Sequence, residues 1–300
     1  MKQPLVTVTI TTFNLEKFIR QTIESCLIQI VDFEFNIVVS DDGSTDATTS
    51  IVEEYVNKLP DKISLIKSEH IGKMPNFIRS LQAANGKYVA LCDGDDYWTD
   101  PLKLQKQVDF MENNPDFTAC YTNSMVINEV TGEQKIAKSR VWDVATTLEL
   151  LDHNDFNPDG VAMSPGHTST FMYRNFLVKE YPKWMYGDIM TDFPLYMIVS
   201  KYGKAKFINE ITSVYRHHPK GVSTLYYTFE KNNRTRIHVL KCVNQYFDYK
   251  FRKKINHIIS KHYIRLYKYY HNNNKDYVNA FIAAINGIIY NPLIILKLKK

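Results

Sequence analysis

Three hundred residues, 44% hydrophobic and 23% charged, suffice for one large domain or two modest ones with a buried core, and eleven Gly with eleven Pro exclude collagen-like and low-complexity classes. Four scattered cysteines, Cys26, Cys92, Cys120 and Cys242, contain no C-x-x-C pair, which argues against a disulfide scaffold or zinc ribbon and fits a reducing compartment. The net charge of +5 hides an asymmetry: residues 231–300 hold 15 Lys plus Arg against two acids, whereas residues 1–230 hold 22 against 30.

In chain order, Val6, Val8 and Ile10 alternate with threonines as a strand, and Phe18, Ile19, Thr22, Ile23, Cys26 and Leu27 then recur at helical spacing. The pattern repeats with a strand over 35–39, a turn at Asp42-Gly43-Ser44-Thr45-Asp46, a helix over 47–57 and a strand over 63–66. A helix over 75–84 stops at Asn85-Gly86, and 88–92 reads as an apolar strand buried on both faces. Asp100 followed by Pro101 caps a helix running to about 111, and 117–121 is a further strand. Residues 132–166 read as loop-rich, 195–202 as a helix ended by Gly203, and 207–208 with 214–215 as short strands. Alternating strand and helix predicts an α/β fold on a mostly parallel sheet flanked by helices. The basic C-terminal stretch interleaves Lys250, Arg252, Lys253, Lys254, Lys261, Arg265 and Lys268 with aromatic and aliphatic residues at helical spacing.

The chemistry concentrates at two strand ends. Asp93-Gly94-Asp95-Asp96 follows the buried strand directly, and three crowded carboxylates repel one another unless a cation such as Mg²⁺ or Mn²⁺ neutralises them. The alternative is an acidic turn that caps the next helix. The second cluster, Asp41-Asp42, ends another strand and so opens on the same crevice, where ligands of open α/β sheets bind. Gly43 permits the turn and Asp46 caps the helix, whereas Asp41 and Asp42 are free to accept from a nucleobase or ribose, with Phe13 as a stacking face. Trp98 suits either a sugar platform or core packing.

Four ordered blocks, Thr9-Ile10-Thr11-Thr12-Phe13-Asn14, Val39 to Asp46, Gly72 to Arg79 and Cys92 to Trp98, resemble the successive signatures of family 2 inverting glycosyltransferases. The resemblance implies a glycosyltransferase A-type fold and a nucleotide-diphosphate-sugar donor, usually with uridine. On it, Thr11, Phe13, Asn14 and Glu16 line the nucleotide pocket, Asp41 meets the base with Asp42 beside it in the nucleotide site, Lys73 either approaches the phosphates or is a surface lysine, and Asp93 lies near ribose and metal. Asp95 becomes the principal ligand of Mn²⁺ or Mg²⁺, and His218, from Tyr215-Arg216-His217-His218-Pro219, joins the metal shell or closes over the diphosphate, with His217 second. Gly187 to Pro194 resembles the acceptor-side block, which makes Asp192 the catalytic base. Thr191 stands where the family commonly has Glu, and Asp188 is an outside candidate for the base. Trp98, Asp96 and Thr191 fall on the sugar and acceptor side.

The expectation is a catalytic domain over 1–225 that moves a sugar to a hydroxyl of a saccharide or lipid-linked acceptor with inversion, and a basic amphipathic helical extension over 226–300. That extension either packs on the domain or meets an anionic membrane surface, and no nucleic-acid motif accompanies its charge. With no secretion signal at Met1–Pro4 and no uninterrupted apolar span, the expected location is cytoplasmic, peripheral on the membrane. A nucleotidyltransferase is the rival enzyme class, although the Gly-rich basic loop for a triphosphate is missing between Thr11 and Arg20. A non-catalytic nucleotide-sugar-binding protein is the rival outside enzymology. A Rossmann dehydrogenase is disfavoured because no G-x-G-x-x-G follows the first strand.

Overall fold

A computed structural model describes residues 3–137, 143–155, 166–175, 180–187, 192–221, 224 and 228–297. Strands β1 (Val6–Thr12), β2 (Phe35–Asp41), β3 (Ile63–Lys67) and β4 (Tyr88–Asp93) form a parallel half-sheet in the order β3-β2-β1-β4. Helices α1 (Ile19–Leu27), α2 (Thr48–Lys58) and α3 (Lys73–Gln82) supply the crossovers, as the alternating pattern predicts. The register sets Thr12 opposite Asp41 and Thr11 opposite Asp93, so both acidic strand ends open on one edge, separated by β1.

Beyond β4 the sheet changes character. β5 (Tyr97–Trp98) and α4 (Lys103–Asn113) lead to β6 (Phe117–Asn128), the short strands β7 (Gln134–Ile136) and β8 (Val144–Ala145), and α5 (Thr147–Asp155). β9 (Phe171–Arg174) inserts antiparallel between β4 and β6, and β10 (Lys204–His217) runs parallel to β6. The strand expected over 117–121 is longer, and the two short strands expected at 207–208 and 214–215 are parts of β10. Register shifts around Ile211 had broken their alternation.

One apolar cluster joins α1, α2 and α4 to one face of the sheet through residues such as Ile23, Val52 and Val108. On the other face α3 and α6 (Phe193–Ser200) pack beside the C-terminal helices α7 (Phe229–Tyr246), α8 (Arg252–Lys268) and α9 (Tyr277–Tyr290). Leu240 of α7 and Ile258 of α8 share that cluster with Leu91 of β4 and Tyr173 of β9, so the basic helices complete the core of the sheet. Among the described residues no helix is long and apolar enough to cross a membrane.

Candidate active site

The acidic turn after β4 is fixed by close backbone approach. Gly94 donates its N–H to the Thr11 carbonyl at 2.9 Å, and a Cβ on Gly94 would lie 2.8 Å from that oxygen. The turn separates its three carboxylates by direction. Asp93 faces the crevice edge, where the Thr11 hydroxyl donates to it at 3.3 Å. Asp95 Oδ2 lies 3.0 Å from His218 Nε2, bringing the residue after β10 onto the turn. Asp96 points inward, fully buried, and accepts the Arg216 N–H at 3.1 Å. Burial, then its two acidic neighbours, pushes the Asp96 carboxyl well above the usual carboxylate range.

Arg216, which sequence reasoning left without a role, holds this turn to the rest of the site. Its guanidinium donates to the Asp95 carbonyl at 2.6 Å and to Gln21, pairs with Glu129 at 3.1 Å, and lies over the rings of Phe18 and Tyr97. Its only local signal is its place beside His217 and His218, because its partners lie between 87 and 198 positions away.

Asp192 stands at the N-terminus of α6, and its Oδ2 accepts from the hydroxyls of Thr168, at 2.9 Å, and Tyr196. Thr168 also hydrogen-bonds Asp93 and so sits between the two carboxylates. Burial pushes the Asp93 carboxyl up to about 6, the Lys73 ammonium opposes the rise, and the charges of Asp95 and Asp192 add to it. Asp93, Asp95, Asp192, Lys73 and His218 therefore share one crevice at the carboxyl ends of β1 and β4. Thr191 and Asp188 lie outside the described residues.

The β2 acids are engaged within the protein. Asp41 is buried, its two oxygens accepting from the hydroxyls of Ser44 and Thr49 at 2.5 Å each. Asp42 accepts the N–H groups of Ile71 and Gly72 at 2.8 and 3.1 Å and pairs with His70 at 2.9 Å, tethering the loop before α3. Gly43 between the turn's polar residues has φ +76°, and a Cβ there would strike the His70 nitrogen at 2.7 Å. Asn14, at φ 53°, accepts from the Thr45 N–H at 2.8 Å, and Glu16 accepts from Ala47 at the start of α2 at 3.0 Å. These four residues, expected to touch nucleotide, build the loop that borders the pocket. Phe13 is 40% exposed and stacks on His70 with centroids 4.5 Å apart, making a two-ring platform whose second member, 57 residues away, had no sequence signal.

Two expectations need correction. Trp98 is 2% exposed, donates through Nε1 to the Ser169 carbonyl at 2.9 Å and packs under Lys103, so it is a core side chain and no sugar platform. Asp96, wholly enclosed, is likewise withdrawn from the sugar and acceptor side.

The donor set at the turn fits a divalent ion. The Asp95 carboxylate oxygen suits Mn²⁺ or Mg²⁺ and the His218 imidazole nitrogen the softer of the two, and a cation would relieve the part of the Asp93 rise that comes, after burial, from the charges of Asp95 and Asp192. Among the described residues no three such side chains converge to hold an ion alone, so water and substrate phosphate would complete its shell.

The glycosyl transferase family 2 model matches residues 7–181, which carry β1 to β9 and the Asp93–Asp96 turn. The chain belongs to glycosyl transferase family 2. It is 31% identical over 218 residues to an uncharacterized protein of Mycobacterium tuberculosis, a match covering 72% of this chain and 60% of that protein. It is 29% identical over 230 residues to an uncharacterized glycosyltransferase of Haemophilus influenzae, covering 74% and 68%. The chain thus spans about three fifths of the mycobacterial relative. In structure it is similar to S. aureus TarS 1–349 in complex with UDP-GlcNAc, with TM-score 0.60, 18% identity and 93% of this chain and 90% of that one covered. The mannosyltransferase PcManGT from Pyrobaculum calidifontis, in complex with GDP-Man and Mn²⁺, gives TM-score 0.55 at 17% identity, covering 97% and 82%. These likenesses identify the glycosyltransferase A fold. The family match ends at 181, before Asp192 and His218.

Proposed function

We propose that this chain transfers a sugar with inversion from a nucleoside diphosphate donor, a uridine diphosphate sugar, to a hydroxyl of a saccharide or lipid-linked acceptor. The observation that carries this reading is the gathering of Asp93, Asp95, Asp192, Lys73 and His218 in one crevice at the end of β4.

In this reading Thr11 and Phe13 border the nucleoside, with His70 backing the Phe13 ring. Lys73, close enough to Asp93 to oppose its protonation, pairs with donor phosphate. Asp95 and His218, with Asp93 beside them, would hold Mn²⁺ or Mg²⁺, and when bound that ion supplies positive charge to the leaving diphosphate. Asp192 takes the proton from the acceptor hydroxyl as its oxygen bonds to the anomeric carbon and the carbon–phosphate-oxygen bond breaks. The hydroxyls of Thr168 and Tyr196 fix the aim of the Asp192 carboxylate. Attack opposite the leaving group inverts the anomeric centre. The relatives support the class of donor: TarS is described with UDP-GlcNAc and PcManGT with GDP-Man and Mn²⁺.

Calorimetric titration of uridine diphosphate, with Mn²⁺ and then with chelator, tests the site on wild type and Asp95→Ala. Metal-dependent binding that the variant loses is expected. Equal binding by the variant would remove Asp95 from the metal, and no binding by wild type would refute the uridine donor. Product with the anomer retained would remove Asp192 from its role.

A further inference from the structure

Helix α9 faces its large apolar side chains away from the protein. Residues 277–290 contain no charge. Its small residues Ala280, Ala283 and Gly287 are buried against α8, and a Cβ on Gly287 would meet Tyr263 at 3.4 Å, so the two helices approach closely there. The opposite arc carries Val278, Phe281, Ile282, Ile285 and Ile289, between 41% and 71% exposed, and Leu293 extends it at 76%. At 100° per residue the five α9 side chains fall within about one third of the helix circumference. A helix made for water on this face would bury the Phe and Ile and expose the alanines. Contiguous apolar patches of this kind mark surfaces that meet something.

The surroundings decide what. Residues 231–300 carry 15 basic residues against two acids. Lys275 stands exposed at the N-terminal end of α9 and Lys268 near it, with Tyr277 exposed between rim and arc. At the other end Lys241 lies over the Tyr290 ring. Two copies brought face to face would oppose strongly cationic surfaces, whereas an anionic bilayer complements both parts of the patch, acyl chains for the arc and headgroups for the rim. Fourteen residues rise about 21 Å, too short to span hydrocarbon but suited to lying in the plane of the interface.

We propose that α9 is an in-plane membrane anchor, with Phe281, Ile282, Ile285 and Ile289 inserted at the headgroup–acyl boundary of an anionic bilayer and the flanking lysines on its headgroups. The assignment is independent of the glycosyl-transfer reading.

The test is sedimentation of the full chain with phosphatidylcholine vesicles containing phosphatidylglycerol, against phosphatidylcholine alone. Binding to the anionic vesicles is expected, weakened but not abolished by salt. The double variant Phe281→Asp/Ile285→Asp, at exposed positions, should partition at least about tenfold less while its unfolding temperature holds. Lys268→Glu with Lys275→Glu should erase the preference for anionic vesicles. A second readout is Phe281→Trp, whose emission should shift to the blue on anionic vesicles. No sedimentation of wild type, unchanged sedimentation of the aspartate variant, or emission from the Phe281→Trp protein that is indifferent to vesicles would each overturn the anchor. So would a wild-type dimer that the aspartate variant converts to monomer without any vesicle binding, which would assign the arc to a second copy. Uridine diphosphate titration of the aspartate variant keeps the two readings apart, since the nucleotide site should be unaffected by this helix.

Discussion

Replacing Arg216 by Met keeps much of the stem and removes the guanidinium that ties the acidic turn to α1 and to the β6–β7 connection. Three polar partners lose a donor: the Asp95 carbonyl at 2.6 Å, Gln21, and Glu129 at 3.1 Å. Glu129 is partly exposed and can rehydrate, so its loss costs little. Gln21 is exposed and rehydrates in the same way, whereas the Asp95 carbonyl is partly enclosed, where an orphaned group costs about 1–3 kcal/mol. The contacts with Phe18 and Tyr97 add about 1 kcal/mol together. A total of about 3 kcal/mol, at about 2–4 °C per kcal/mol for a domain of this class, predicts a fall of about 6–12 °C in unfolding temperature. Because the Asp95 backbone loses its anchor, metal-dependent nucleotide affinity should fall as well. Arg216→Lys should recover charge but not the fork, giving an intermediate loss. Differential scanning fluorimetry and the nucleotide titration read both effects. An Arg216→Met protein with wild-type melting and wild-type affinity would refute the claim that this arginine organises the turn.

Asp192→Asn should slow sugar transfer about 10²–10⁴-fold with uridine diphosphate affinity unchanged, and a rate within a few-fold of wild type in a product assay would exclude Asp192 as the base. The Asp93 carboxyl, raised to about 6 from an ordinary 3.8, keeps its proton in the folded protein over a range where the unfolded chain has released it. Its contribution is therefore fully present below about pH 4 and lost as pH rises through about 6, a span of about 3 kcal/mol at 1.4 kcal/mol per unit. Melting temperatures of metal-free wild type and Asp93→Asn should accordingly diverge between about pH 4 and 6 and stay apart above it, the variant being more stable, and curves parallel from pH 4 upward would refute the raised carboxyl. Trp98→Phe should cost about 1–3 kcal/mol by stranding the Ser169 carbonyl, with donor KM unchanged; a KM effect without loss of stability would restore Trp98 to the sugar site.

The parallel half of the sheet was legible because each of its elements carries its own period. β1, β2 and β4 read as short apolar or alternating runs, α1 to α4 as helical spacing, and Gly43 and the Asp93–Asp96 turn marked the strand ends. The antiparallel half was not. β9 owes its place to pairing with β4 and β6 rather than to a pattern of its own, and α5 lies in a stretch whose Asn and Asp content reads as loop. Within the site, the sequence could locate three acids but not aim them. Which of Asp93, Asp95 and Asp96 turns inward depends on Arg216, 120 positions beyond Asp96, and no local spacing encodes that. The C-terminal stretch shows a further limit: the interleaving of basic and apolar residues read over 246–268 describes α8, whereas α9 is free of charge, and which side of it meets the protein depends on its packing against α8.

The same long-range contacts explain how the crevice is divided along the chain. The proposed nucleotide side, from Thr11 to Asp95, comes from the parallel half and lies within the family match. The groups that would act on phosphate and acceptor, His218 and Asp192, arrive from segments beyond it, held by Asp95–His218, Asp96–Arg216 and Thr168–Asp192 contacts. A nucleotide platform built from local βα units can thus persist while the returning strand and α6 vary, and the identity of sugar and acceptor would be decided on the returning side. Buried Asp96 and Arg216 are the hinge of that arrangement, since they fix where β10 meets the acidic turn without facing substrate themselves. Substitution at either should therefore disturb the two halves of the crevice together, whereas a change at Tyr196 should alter Asp192 alone.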